Sequence, residues 1–125
     1  MEQFSEFDLT EAGRAILSAL IKSEKAILKL KENSPLYRLT AESIRAFQIA
    51  LPLLRREQGA QQACAFGRED LARAGAALAS ARSRVQKVLP KFAGGTPQHT
   101  LAVRRIRAFT IAERLIQTEL EQMNI

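Results

Sequence analysis

The chain has 125 residues, of which 46% are hydrophobic and 26% are charged, and its formal net charge at pH 7 is +6. This length predicts one domain over residues 1–125, and the composition excludes the class of intrinsically disordered chains. The single cysteine, Cys64, excludes an internal disulfide framework and is expected to lie in a surface linker. The N-terminal segment "MEQFSEFDLT" has no apolar core and predicts no secretory signal. Because the longest apolar stretches are too short to cross a bilayer, we expect a cytoplasmic protein without a membrane partner.

The first predicted helix covers residues 6–31. Its apolar residues recur three and four positions apart, which places them on one helix face. Ser5, with Asp8 three residues later, predicts an N-cap. Gly13 lies inside this helix, where glycine costs about 1 kcal/mol relative to alanine. We therefore expect Gly13 to allow close packing against another helix.

The second predicted helix covers residues 35–58. The segment "ENSPLY" places Ser34 directly before Pro35, a combination typical of an N-cap followed by proline at the first helical position. Pro52 lies in the middle of this helix, where proline removes a backbone hydrogen bond. The sequence leaves open whether the helix bends or ends at Pro52. Gly59 then marks the start of a linker that contains Cys64.

Two further helices are predicted over residues 68–91 and 97–123. Gly67 with Asp70 is a weaker start signal than Ser5, because glycine has no side chain to accept a hydrogen bond. Before the last helix, "GGTPQH" repeats the Ser/Thr-Pro pattern with Thr96 and Pro97. Each pair of helices is joined by a short connector, which predicts antiparallel neighbours.

The two halves of the chain resemble each other at a constant offset of 62 residues. The segment "SPLYRLTAESIRAFQIA" from Ser34 returns as "TPQHTLAVRRIRAFTIA" from Thr96, and gap-free alignment of the halves gives about twenty identities. Such a repeat predicts a tandem duplication of one αα-hairpin, with residues 1–62 and 63–125 as the copies. The expected fold class is therefore all-α, an up-down-up-down four-helix bundle with an internal pseudo-twofold axis.

The sequence offers no catalytic, cofactor-binding or metal-binding pattern. One histidine and one cysteine cannot form a structural zinc site, and no Glu-x-x-His pair or phosphate-binding glycine loop is present. The segment His99-Thr100-Leu101 resembles a short fragment of the histidine phosphotransfer motif, but Ala102 and Val103 replace the Lys-Gly that would follow. We expect His99 to be a first-turn helix residue, and we expect no enzymatic activity.

The basic residues form the one candidate site. Residues 1–62 hold nine Lys/Arg and eight Asp/Glu, whereas residues 63–125 hold ten and five, so the second half carries most of the excess. In an up-down-up-down bundle, basic residues at the ends of the first and third helices would lie beside those at the starts of the second and fourth. The candidate anion-binding or partner-binding residues are Lys25, Lys29, Arg38, Arg45, Lys87, Lys91, Arg104, Arg105 and Arg107. For Arg45 and Arg107, which point outward on the helical wheel, a salt bridge to a neighbouring helix is the alternative.

Two functional classes fit these features. The leading hypothesis is a non-catalytic helical bundle that acts through protein–protein contact, with a protein partner or as a homodimer. Under this hypothesis, part of the wide apolar face of the second and fourth helices should be exposed. This face is marked by Ile44, Ile49, Ile106 and Ile111. The alternative is a protein that binds a nucleic acid or another polyanion through phosphate contacts at the basic connector end.

Overall fold

The computed structural model describes residues 4–60 and 66–123, and four α-helices lie in these ranges. They are α1 (Glu6–Ile27), α2 (Pro35–Glu57), α3 (Arg68–Val88) and α4 (Pro97–Gln122). The described ranges contain no β-strand, so the predicted all-α class is confirmed, and the helix packing is compatible with a bundle. Within these ranges, no helix has both the length and the apolar character that a bilayer crossing requires. Cys64 lies outside the described residues.

Side-chain hydroxyls start three of the helices as predicted. The Oγ atom of Ser5 accepts a hydrogen bond from the backbone N–H of Asp8 at 3.0 Å. Ser34 and Thr96 cap α2 and α4 in the same way, and Pro35 and Pro97 follow them at the first helical position. Gly67 is the N-cap residue of α3, and no side-chain hydrogen bond caps this helix. These caps satisfy backbone donors that the helix itself leaves without acceptors.

Two helices end earlier than the sequence predicts. α1 stops at Ile27 rather than at residue 31, and the next amides bond to carbonyls three residues back, as in a tighter 3-10 turn. α3 stops at Val88, and a 3-10 turn covers Leu89–Lys91. Pro90 explains this change, because it has no N–H with which to continue the α-helical pattern.

Both connectors reverse direction through a left-handed residue just before the cap. Asn33 has φ 64° and Gly95 has φ 83°, and these residues are 62 positions apart. Glycine and asparagine tolerate this conformation best. Equivalent positions in the two halves therefore make the same turn with different residues.

Pro52 neither ends nor shortens α2. The helix continues past it for one and a half turns to Glu57. The carbonyl four residues earlier belongs to Gln48, whose side chain is exposed. The carbonyl of Gln48, which receives no hydrogen bond from Pro52, therefore lies on a side of the helix where water can satisfy it.

The helices pack around a shared core. α1 contacts α2 and α4, α3 contacts the same two helices, and α2 also touches α4, whereas α1 and α3 make no contact within the described ranges. The side-chain amide of Gln58 donates to the Thr10 hydroxyl at 3.0 Å, which joins the end of α2 to the start of α1. Arg68 donates to the carbonyl of Met123 at 3.2 Å, which joins the start of α3 to the end of α4.

The core repeats the 62-residue offset. The buried apolar positions that recur at this offset are Leu9/Leu71, Ala12/Ala74, Ile16/Leu78, Ala19/Ala81, Ala46/Ala108, Phe47/Phe109, Ile49/Ile111, Ala50/Ala112, Leu53/Leu115 and Leu54/Ile116. The rings of Phe47 and Phe109 stack on each other, with centroids 5.5 Å apart and planes inclined by 18°. Phe47 and Phe109 therefore both belong to the core.

The structure bears on two packing expectations, and the one for Gly13 is wrong. A Cβ atom added at Gly13 would meet nothing within 4 Å, so no helix approaches this glycine closely. Ile49 and Ile111 are buried in the core, whereas Ile44 and Ile106 are half-buried. Of the four isoleucines of α2 and α4, only Ile44 and Ile106 therefore keep part of their surface accessible.

Candidate functional site

A groove of about 350 Å³ opens where the last turns of α1 and α3 meet the early turns of α2 and α4. Phe47 and Phe109 line its apolar part, together with small aliphatic side chains. Three basic residues line the rest: Lys22, Arg84 and Arg105. No described carboxylate lines this groove, so its walls carry positive charge that no acid neutralises.

Arg105 is the least satisfied polar residue of the groove. Its Nε atom is shielded from solvent and has no hydrogen-bond acceptor. Burial lowers the pKa of the Arg105 guanidinium, although an arginine remains a cation at neutral pH. A buried donor without an acceptor costs about 1–3 kcal/mol, and more when it is charged. The fold thus holds a cation in a place where an anion would satisfy it.

Arg84 is fixed across the groove by two serine hydroxyls. Its Nη1 atom donates to Ser80 at 2.9 Å, and its Nη2 atom donates to the buried Ser43 at 3.5 Å. Neither acceptor carries a charge, so both bonds orient the guanidinium without neutralising it. Lys22 is exposed on α1 and completes the set of cations.

The groove lies between two strongly basic segments, residues 22–42 and 84–105. Together they hold ten Lys/Arg and three Asp/Glu, and the rest of the chain holds nine and ten. All six ion pairs of the described residues lie outside these segments. The positive charge of the protein is therefore concentrated in these segments, where ten cations face three carboxylates and no ion pair forms among the described residues.

Arg45 and Arg107, both predicted as site residues, do not reach the groove. Arg107 donates to the Asp8 carboxylate at 2.6 Å, and Arg45 lies 3.8 Å from the Asp70 carboxylate and over the ring of Phe66. The hydrogen bond from Arg107 is the main reason why the pKa of Asp8 is lowered. The structure thus favours the salt-bridge alternative for both arginines.

The other predicted residues are placed as follows. Arg105 lines the groove. The exposed members are Lys25, Lys29, Arg38, Lys87, Lys91 and Arg104. They lie within the two basic segments and form no ion pair with a described carboxylate. They are available to a large anionic partner, whereas Arg105 is available to a group that enters the groove.

Sequence reasoning places Lys22 and Arg84 in basic stripes near the ends of the first and third helices, but it does not bring them together in a groove, and it misses Ser43 as a site residue. A usable signal was present: Lys22 and Arg84 are 62 residues apart, and so are Ser43 and Arg105. The groove brings all four of these residues together. On the helical wheel, Ser43 occupies an ordinary core position. Only the packing shows that its counterpart, Arg105, is half-buried.

His99 lies in the first turn of α4, as expected. Its side chain is half-buried, and its backbone N–H donates to the capping hydroxyl of Thr96 at 3.3 Å. The described residues contain no group of three or more His, Cys, Asp or Glu that could hold a metal ion. The arrangement of the site can bind anions through charge and hydrogen bonds.

Comparison of the chain with protein-family models, with curated proteins and with solved structures gives no significant match.

Proposed function

We propose that the protein is a non-catalytic, up-down-up-down four-helix bundle that arose by duplication of an αα-hairpin and binds a nucleic acid through its phosphate backbone. The binding surface consists of the two basic segments, residues 22–42 and 84–105. The duplication is supported by the recurrence of buried positions at the 62-residue offset and by the stacking of Phe47 on Phe109. The up-down course is supported by the bonds that join the helix ends, from Gln58 to Thr10 and from Arg68 to Met123.

One observation carries the functional proposal: the basic residues of the two segments form no ion pair with any carboxylate of residues 4–60 and 66–123. Elsewhere, arginines such as Arg56, Arg82 and Arg107 are paired with carboxylates. Sequence-independent binding to nucleic acids depends on such unpaired cations, since each contact with a phosphate releases a condensed counterion. The two segments contain one tyrosine and one phenylalanine, Tyr37 in the first turn of α2 and Phe92 in the second connector, and both are half-buried. Contacts to phosphates are therefore favoured over stacking on single-stranded bases.

The experiment is a fluorescence-anisotropy titration with labelled duplex DNA, duplex RNA and single-stranded RNA over a salt series. We expect binding that weakens as salt rises, with a slope of about −0.9 per phosphate contacted on a duplex. The triple variant Lys87→Gln, Lys91→Gln and Arg104→Gln removes three exposed cations of the second segment. It should reduce the slope by about three, since each phosphate contact contributes about one.

A matched control removes the same charge elsewhere. The variant Arg14→Gln, Arg55→Gln and Arg73→Gln changes three exposed arginines outside the two segments and should bind almost as well as the wild type. Two outcomes contradict the proposal: an absence of binding at low salt, and equal losses in both triple variants. Binding to polyglutamate but not to nucleic acid would also contradict it and would assign the surface to an acidic protein.

The outer face of α1 favours a second function, self-association through protein–protein contact. Leu17 and Ile21 are one helical turn apart, and each is 44% exposed. Their counterparts in the other half are Ala79 and Ser83, so the duplicated fold does not require large apolar side chains at these positions. Leu17 and Ile21 form a small apolar patch on one helix face. A second copy of the chain carries the same patch and could pair with it about a twofold axis, and this copy is the partner that we propose.

The mass of the protein in solution tests this second proposal. We expect a dimer by light scattering at micromolar concentration. The variant Leu17→Ala with Ile21→Ser copies the residues of the other half and should be monomeric with an unchanged helical content. A wild-type protein that stays monomeric over the whole concentration range would rule out the homodimer.

A further inference from the structure

The groove between the four helices has features that a phosphate backbone does not need. Its lining combines Phe47 and Phe109 with three cations, Lys22, Arg84 and Arg105. A nucleic-acid backbone can be bound by exposed cations on a convex surface. A recess with an apolar lining and convergent polar groups is instead the usual form of a site for a small molecule.

We propose that this groove is a binding site for a small organic anion with an apolar body. The anionic group of the ligand, a carboxylate, sulfonate or phosphate ester, accepts hydrogen bonds from Arg105 and Arg84, and Lys22 adds charge at the rim. The apolar body lies against the phenylalanine pair. The proposal does not depend on nucleic-acid binding: Lys22 and Arg84 belong to the basic segments, but Arg105, on which the assignment and its test depend, is half-buried and is not one of their exposed cations.

Arg105 supports this assignment most directly. Its Nε atom is shielded from water and has no acceptor, and the equivalent residue in the other half of the chain is Ser43. A serine is therefore compatible with this position in the fold. A cation that the fold does not require, with an Nε donor that no described acceptor satisfies, lies beside an apolar recess and points to an anionic ligand.

The volume of the groove limits the size of the ligand. Sites for drug-sized molecules range from about 300 to 1,000 Å³, and this groove, at about 350 Å³, is near the lower end. One or two fused rings, or a short acyl chain, would fill it. The three cations and the absence of a described carboxylate in the lining exclude cationic ligands on electrostatic grounds.

The test uses the full-length protein and the fluorescent anion 8-anilinonaphthalene-1-sulfonate, which joins an aromatic body to a sulfonate. We expect saturable binding at one site with a blue-shifted emission. N-phenyl-1-naphthylamine, the uncharged analogue, should bind at least ten-fold more weakly. The variant Arg105→Ser should lose at least ten-fold in affinity for the sulfonate, because charge-assisted hydrogen bonds are among the strongest that a protein forms.

Two control variants separate the groove from other surfaces. Arg104→Ser removes the same charge one residue away, where the side chain is exposed, and should change the affinity less than two-fold. Ile21→Ser removes an exposed apolar side chain from α1 and should also leave the affinity unchanged. Thermal unfolding distinguishes a ligand-binding role of Arg105 from a structural one: Arg105→Ser should melt at or above the wild-type temperature, because the substitution removes an unsatisfied buried donor.

Several results would overturn the proposal. They are non-saturable binding of the sulfonate, equal affinity of the wild type and Arg105→Ser, and equal losses in Arg104→Ser and Arg105→Ser. A clear drop in melting temperature for Arg105→Ser would show that the residue is structural. The nucleic-acid titration stays informative in each case, since Arg105→Ser keeps all the exposed cations on which the proposed phosphate contacts depend.

Discussion

Phe47 and Phe109 stack on each other with ring centroids 5.5 Å apart, and they are separated in the chain by the 62 residues that relate its two halves. If the proposed duplication holds, a residue that touches its own counterpart lies on, or very near, the axis that relates the two copies. The basic groove lies beside this pair. The contact thus places the candidate site next to residues that the 62-residue offset relates.

The phenylalanine pair should be a major source of stability. Each ring is 3% exposed, and we expect Phe47→Ala or Phe109→Ala to lower the free energy of unfolding by about 3–5 kcal/mol, because each leaves a cavity. The double variant should lose less than the sum, since the two rings contact each other. Urea unfolding followed by circular dichroism measures these effects. Phe7→Ala, at a residue that is 72% exposed, is the control, and a Phe47→Ala protein as stable as this control would contradict the packing.

The pKa of Asp8 should depend on Arg107. The Arg107 guanidinium donates to the Asp8 carboxylate at 2.6 Å and lowers its pKa. In Arg107→Gln we expect the pKa of Asp8, followed by the NMR pH titration of its carboxyl carbon, to rise to the ordinary aspartate range. Arg45→Gln, which affects the Asp70 pair, should leave the pKa of Asp8 unchanged.

This shift also gives stability a defined pH dependence. A carboxyl with a depressed pKa in the folded state contributes stability above its unfolded pKa, near 3.9, and the contribution is lost as the pH falls through the folded pKa. The difference in stability between the wild type and Arg107→Gln should therefore be constant from neutral pH to about pH 5 and then shrink in acid. A difference that persists at pH 2 would show that Arg107 acts through packing.

The salt bridge between Arg82 and Glu113 should be replaceable by apolar residues. Arg82 Nε donates to Glu113 at 2.7 Å, and the equivalent residues in the first half are Leu20 and Leu51. We expect the double variant Arg82→Leu with Glu113→Leu to stay within about 1 kcal/mol of the wild type, because an apolar pair avoids the cost of desolvating two charges. Glu113→Leu alone should cost about 1 kcal/mol more than the double variant, since it leaves a partly buried arginine unpaired. Chemical unfolding of the double variant and of the single variants Arg82→Leu and Glu113→Leu measures these differences. A double variant that is less stable than both single variants would contradict the equivalence of the halves.

The helix-interior glycines should be replaceable as well. A Cβ at Gly13 would meet no atom within 4 Å, and a Cβ at Gly75 would meet Ile116 at 3.5 Å, an ordinary contact. We expect Gly13→Ala and Gly75→Ala each to raise the free energy of unfolding by about 1 kcal/mol, because alanine restricts the unfolded chain and favours the helix. Gly95→Ala serves as the opposite control. Gly95 has φ 83°, so a side chain at this position should lower the stability of the protein. A loss of stability in Gly13→Ala would indicate a partner that approaches α1 at this point.

The local features of the fold could be predicted from the sequence because they depend on neighbours in the chain. Ser34 and Thr96 cap their helices, and the proline after each one fixes the backbone torsion of the first turn, so α2 and α4 begin where the pattern predicts. The ends of α1 and α3 were less predictable. The end of α3 has a local cause in Pro90, whereas the end of α1 also depends on how the connector turns through the left-handed Asn33 to bring the next helix into the core.

The sequence by itself determined the helical class, the caps, the core positions and the excess of positive charge in the second half. Only the tertiary structure decided which cations are neutralised, because an ion pair depends on distances between helices that no spacing along the chain reveals. It paired Arg107 with Asp8, left Arg104 exposed and turned Arg105 into the groove beside Arg84. These three arginines lie within four residues of one another, and their different roles follow from the 100° rotation that each residue adds along a helix.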